Sequence, residues 1–140
     1  MPIELIVVTP EGEAFSGPVE QVVLPGSEGE FGVLESHERF LTPLNPGVME
    51  IRGAQGSQWA AITDGFAEVD GERVVVMVAA HHRPEEIDRS QAEQSLEQAQ
   101  QELAELEQTD ETAGRRAELE SAIAGAQAMI EAHTKQQGSR

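Results

Sequence analysis

Two different rhythms of apolar residues divide the chain. Over roughly the first 80 residues the apolar runs are short and separated by turn residues, and beyond about residue 90 they recur in steps of three and four. In the first part, Ile3, Leu5 and Val7 alternate with Glu4, Ile6 and Val8, the period of two that turns one face of a strand inward. Pro10-Glu11-Gly12 then reads as a turn. Val19, Val22, Val23 and Leu24 form the next run, closed by Pro25-Gly26, and further runs cover 31–34, 40–44, 48–51, 59–62, 66–69 and 74–78. Turn chemistry separates them at Asn45-Pro46-Gly47, Gly53 to Ser57, Asp64-Gly65 and Asp70-Gly71, the last being a strong hairpin signal between alternating strands. Many short strands at this spacing predict a sandwich or barrel with a modest core.

The second part predicts two antiparallel helices. Asp88 is a natural N-cap after the helix-breaking Arg83-Pro84. Ala92, Leu96, Ala99, Leu103 and Leu106 then step by 4, 3, 4 and 3 along one face. Thr109 to Thr112 breaks the pattern, and either threonine can cap the second helix. Leu119, Ala122/Ile123, Ala126 and Met129/Ile130 repeat the stripe. Much of this seam is Ala, which permits close approach but buries little area, so the pair reads as a weakly held hairpin that could dock in one state and unfurl in another. The tail from Lys135 to Arg140 is expected to fray. The reading is therefore mainly β with α: a β-domain over 1–84 and a helical hairpin over 85–140.

Composition sharpens this division. All but three of the 13 glycines, every Phe and the single Trp59 precede residue 80, whereas Ala, Gln, Glu and Leu dominate afterwards. Charge narrows the partners. The formal net charge is −17, with −10 over residues 1–80 and −7 over 81–140. Such a surface disfavours nucleic acid and anionic lipid and would welcome a basic partner; it also suits plain solubility or a salty cytoplasm. The chain has no cysteine, and no apolar run approaches the roughly 20 residues that span a bilayer, so membrane association is expected only through a partner.

The chemistry of catalysis finds no foothold in this sequence. His37, His81, His82 and His133 show no metal-ligand spacing, and His81 and His82, adjacent at a strand end, point to opposite faces. The serines sit in no nucleophile elbow. The glycines between Gly26 and Gly32 lack the lysine and following helix of a phosphate cradle, and read as a bulged hairpin using positive φ. The 26 carboxylates lie in no apolar setting that would tune one for acid–base work. A carbohydrate- or peptide-binding sandwich would need an exposed aromatic cluster, and the chain has no Tyr, one Trp and four Phe.

The ordered string is more specific than any single residue. Leu24-Pro25-Gly26-Ser27-Glu28-Gly29-Glu30-Phe31-Gly32-Val33-Leu34, then Ser36-His37-Glu38-Arg39-Phe40-Leu41-Thr42-Pro43-Leu44, then Pro46-Gly47-Val48-Met49-Glu50-Ile51 resembles the signature of the bacterial ATP synthase epsilon subunit. Gly65-Phe66-Ala67-Glu68-Val69, followed by a Val-rich strand, resembles the family's second marker, and the resemblance covers roughly residues 3–132.

The resemblance implies a ten-stranded β-sandwich followed by an antiparallel two-helix hairpin. It implies a non-catalytic subunit of the central stalk, on the cytoplasmic face of the bacterial inner membrane. Its partners would be the gamma subunit, the polar loops of the c-ring and, through the hairpin, the catalytic alpha/beta head. The subunit would turn with the rotor and couple proton flow to ATP synthesis, with no nucleic-acid partner, membrane insertion or metal. Glu28, Glu30 and His37 match the end that meets the c-ring. Some family members also bind ATP through Ile/Leu-Asp-x-x-Arg-Ala. Ile87, Asp88 and Ala92 match that motif, but Gln91 stands where it has arginine and cannot grip phosphate as a guanidinium does. Arg89 lies about 200° round the helix from Gln91. With only Arg115 and Arg116 left to help from the second helix, ATP is expected to bind weakly or not at all, and no cofactor is expected. An inhibitory hairpin in the family uses basic residues against the catalytic head; this acid-rich one predicts a weak brake.

Overall fold

A computed structural model of the chain describes residues 3–33 and 39–138. Ten strands come first: β1 (Ile3–Thr9), β2 (Gly12–Val19), β3 (Gln21–Gly26), β4 (Gly29–Val33), β5 (Phe40–Leu44), β6 (Gly47–Gly53), β7 (Gly56–Ile62), β8 (Gly65–Asp70), β9 (Arg73–Val78) and β10 (His81–His82). They follow the path β10-β7-β6-β3-β5-β8-β9-β1-β2, with β4 off this path and paired to β3. Every pairing is antiparallel except that of β1 with β9. At the corner, β3 meets β5 through Gly26 opposite Leu44, so the sheet turns back on itself and its two halves enclose one core.

That core is what the alternation dictates. Ile3, Leu5 and Val7 of β1, Val22 and Leu24 of β3, Ala67 and Val69 of β8, and Val74, Val76 and Val78 of β9 all point inward and are buried. Each large apolar side chain so buried contributes about 1.5–3 kcal/mol against the entropy of ordering the chain. Phe31 and Phe40, with ring centroids 5.8 Å apart edge to face, close one end.

The structure departs from the strand pattern at β2 and β3. The run from Val19 to Leu24 is not one strand: Val19 ends β2 and Val22 lies in β3, with a bend at Glu20 between them. β2 has no strand pattern in the sequence, because Gly12, Gly17 and Pro18 disguise it. It is an edge strand, where Pro18 need not donate to a ladder, and its pairing with β1 supplies what its own propensity lacks. The Asp70-Gly71 hairpin forms as expected: Asp70 pairs with Arg73, and the Asp70 carboxylate accepts from the Glu72 and Arg73 amides at 3.1 and 2.9 Å.

A single 3-10 turn, Pro84–Glu86, joins the sandwich to α1 (Arg89–Glu105). The Asp88 side chain caps α1, accepting from the Gln91 amide at 3.1 Å. The break falls at 109–112, where the Thr109 amide and Arg116 Nε converge on the Thr112 hydroxyl at 3.1 and 3.3 Å, and α2 runs Ala113–Gly138. The tail expected to fray is helical through Gly138. It continues a helix that packs on two faces up to Ala132. Leu119 and Ala126 are buried on the α1 side, while Ala128 and Ala132 meet Ala61 of β7, with Val48, Ile87 and Met129 around them. The seam residues Leu96, Leu103 and Leu106 are only half-buried; Ala92 and Ala99 are the fully covered members of α1. The hairpin thus lies docked on the outer face of β6 and β7.

Candidate functional site

Three surfaces concentrate the features that could meet a partner. The first is the β3–β4 tip. Gly26 pairs with Gly29 across a two-residue loop, and Gly29 adopts φ of 127°, a conformation open to glycine at little cost. A Cβ on Gly26 would meet the Gly29 carbonyl oxygen at 2.7 Å, so the turn is tight as well as strained for other residues. The Ser27 amide donates to the Pro43 carbonyl at 3.2 Å and the Asn45 amide to the Pro25 carbonyl at 2.8 Å, tying the tip to the end of β5. The result is a stiff projection that holds Glu28 and Glu30 out in solvent. His37, the third residue assigned to this end, lies outside the described residues.

The second surface is not marked by any continuous stretch of the sequence. Leu41, Phe66, Met77 and Val8 are the large apolar side chains exposed among the described residues, at 63%, 51%, 39% and 37%, and exposed apolar groups gain meaning when they lie together. The strand registers bring them together. Pro43 lies opposite Phe66, Phe66 opposite Met77, and Met77 beside Val8, so one row crosses β5, β8, β9 and β1; Leu41 stands one row away, opposite Glu68. This is the outer face of the half-sheet that does not carry the hairpin. Parity was the available signal: Phe66 shares its strand face with Glu68 and Asp70, not with the buried Ala67 and Val69. Gly65 fixes the row, because a Cβ there would sit 2.0 Å from the Met77 carbonyl oxygen.

The third surface is the hairpin. Of the residues matched to a nucleotide motif, Asp88 is engaged as the cap of α1, Ile87 packs with the Ala61 cluster, and Ala92 is buried. Arg115 grips Glu102 of α1 through Nε and Nη2 at 2.6 and 2.9 Å and reaches Glu118 at 3.0 Å, contacts that raise its pKa further. Arg116 donates to the Thr109 carbonyl at 2.9 Å. Both arginines sit at the loop end, about 20 Å along α1 from Asp88 by the helical rise. The fold does not bring these five residues together. At the other end, Arg89 pairs with Glu93 and donates to Thr134 of α2, each at 2.9 Å.

Two further titratable groups are perturbed by their surroundings in the sandwich. Glu50 is held below the usual carboxylate range by the Arg52 guanidinium foremost and by the Ser57 hydroxyl, with Lys135 of α2 adding to the pull. His81 faces the same side as core residue Ile62 and His82 the same side as Ala61. Burial depresses the His81 pKa, and its Nε2 is enclosed without a hydrogen-bond partner. No helix among the described residues is long and apolar enough to cross a membrane.

Comparison with known proteins agrees with this architecture. The family described as "ATP synthase, Delta/Epsilon chain, beta-sandwich domain" matches residues 2–84. The ATP synthase epsilon chain of Syntrophobacter fumaroxidans is 39% identical over 122 residues, 87% of this chain and 91% of that one. The epsilon chain of a Cyanothece species is 39% identical over 112 residues, covering 79% and 80% respectively. Among solved structures, a chain of the Euglena gracilis mitochondrial ATP synthase, determined with OSCP, F1 and c-ring, superposes with a TM-score of 0.79 at 26% identity, over 94% of this chain and 80% of that one.

Proposed function

The chain belongs to the delta/epsilon family of ATP synthase subunits, as an epsilon chain, and from that premise we propose that it is a non-catalytic rotor subunit that clamps gamma to the c-ring. The observation that carries this reading is the exposed apolar patch formed by the row Pro43, Phe66, Met77 and Val8 with Leu41 beside it. In water such a face is a liability, and a partner that covers it gains roughly 25 cal/mol for each Å² of apolar area buried. Gamma is the partner assigned to it. Glu28 and Glu30, with His37, are assigned to the polar loops of the c-ring, where exposed carboxylates on a stiff turn suit basic or amide side chains. Turning with gamma, the subunit couples proton flow to ATP synthesis from the cytoplasmic face of the bacterial inner membrane, as a peripheral component held by its partners.

The hairpin is assigned a minor regulatory role toward the alpha/beta head. Its cations are few and mostly engaged with its own carboxylates and cap, which leaves little to offer an acidic catalytic surface. ATP is not assigned as a ligand: Gln91 lacks the charge, and Arg115 and Arg116 are spent elsewhere. The reading is tested with a Glu28→Cys variant assembled into the complex. Oxidation should join it to a cysteine in the c-ring polar loop, while the subunit co-purifies with gamma. Assembly with gamma but no crosslink at any loop position would remove the c-ring assignment.

A further inference from the structure

We propose that Glu68, given the assignment of the apolar patch to gamma, selects what covers that patch by requiring one cation at its centre, an arginine of gamma.

The outer face of this half-sheet is laid out in three rows. The first is Pro43, Phe66, Met77 and Val8. In the second, Glu68 stands between Leu41 and Val75, with Ile6 beyond Val75. In the third, charges of opposite sign alternate through Asp70, Arg73 and Glu4. That third row is matched on the chain itself. The Asp70 carboxylate accepts from the Glu72 and Arg73 amides and lies in the fields of Arg39 and Arg73. Glu68 has no such relief. It is exposed and makes no hydrogen bond or ion pair among the described residues. It is also the single charged residue of the first two rows.

Position makes Glu68 unavoidable. Neighbouring strands stand about 4.8 Å apart, and same-face residues of one strand about 6.7 Å apart. Glu68 therefore lies within a side chain's reach of Leu41, Phe66 and Val75, and a partner that covers those three covers Glu68 too. Stripping water from a carboxylate without a matching charge cancels much of what the apolar contact gains. A wholly apolar surface is thus a poor fit, and an acidic one is repelled. A guanidinium meets both needs. It takes the two carboxylate oxygens in a fork and lies against the Phe66 ring, two residues along the same face. The net charge of −17 draws such a cationic surface in.

The test is titration calorimetry of purified gamma with the full chain and with its Glu68→Gln and Glu68→Leu variants. Glu68 faces solvent, so both variants should unfold in urea as the parent does. Each should bind gamma about tenfold or more weakly, and Glu68→Lys at least about 100-fold more weakly. One arginine of gamma changed to Gln should cost the parent the same factor and cost Glu68→Gln nothing further. Parent-like or tighter binding by either neutral variant would overturn the proposal. So would the lack of any gamma arginine coupled to Glu68. In both cases the face stays with gamma if Leu41→Glu/Phe66→Glu loses binding; if that double variant also binds as the parent does, the assignment to gamma itself fails.

Discussion

Single atoms decide several features of this fold. Gly65 is the tightest point: the hydrogen it carries is all that fits beside the Met77 carbonyl, 2.0 Å from where a Cβ would stand. Gly65→Ala must push β8 from β9, disturbing both the core and the apolar row. It should destabilise the sandwich by roughly 2–3 kcal/mol in urea unfolding, and a change below about 0.5 kcal/mol would show that the strands part freely. His81 makes stability depend on pH. Burial disfavours its charged form, so its folded pKa lies below the unfolded value of 6.5, and the unfolded chain binds more protons. The stabilising preference for neutral His81 is complete above pH 6.5 and is lost as pH falls below it. His81→Gln should flatten the stability profile in that window; an unchanged profile would mean that other groups set it.

The strands with inward alternation were legible from the start, because a period of two in β1, β8 and β9 can bury only one set of side chains. β2 was hidden, because its partner β1 and its place at an edge make it a strand, and neither is written in Gly12 to Val19. The helices were legible from their steps of three and four. What the stripe could not show is that α2 carries a second apolar face, since Ala128 and Ala132 look like helix filler until Ala61 lies beneath them. The same limit applied to function. The tip and the family strings can be read in order, but the patch of Leu41, Phe66, Met77 and Val8 joins four strands that only the sheet brings together. At this scale the brake is also tested. Truncation at residue 84 should change ATP hydrolysis of the assembled complex by less than about twofold, under 0.5 kcal/mol in barrier terms, and calorimetry of the full chain should find no micromolar ATP site. A many-fold rise in hydrolysis would show that the acid-rich hairpin brakes effectively after all.

The whole molecule joins a well-packed sandwich to a hairpin seated on alanines, and the two differ in what holds them. The sandwich is fixed by large buried Val, Leu and Ile side chains from both half-sheets, which would suit the rotor role proposed for it. The hairpin is fixed largely by methyl groups against β7 and by surface arginines between its two helices. The faces obey the same division: the hairpin occupies the β6–β7 side, and the opposite half-sheet presents its uncovered apolar row. The central claim is that this row is the seat of gamma. Titration calorimetry of purified gamma with the full chain, and with a Leu41→Glu/Phe66→Glu variant, tests it most directly. Both side chains already face solvent, so the variant should fold and unfold as the parent does. The account predicts sub-micromolar binding by the parent and a loss of at least about 100-fold, near 2.7 kcal/mol, in the variant; equal affinities in a correctly folded variant would contradict it.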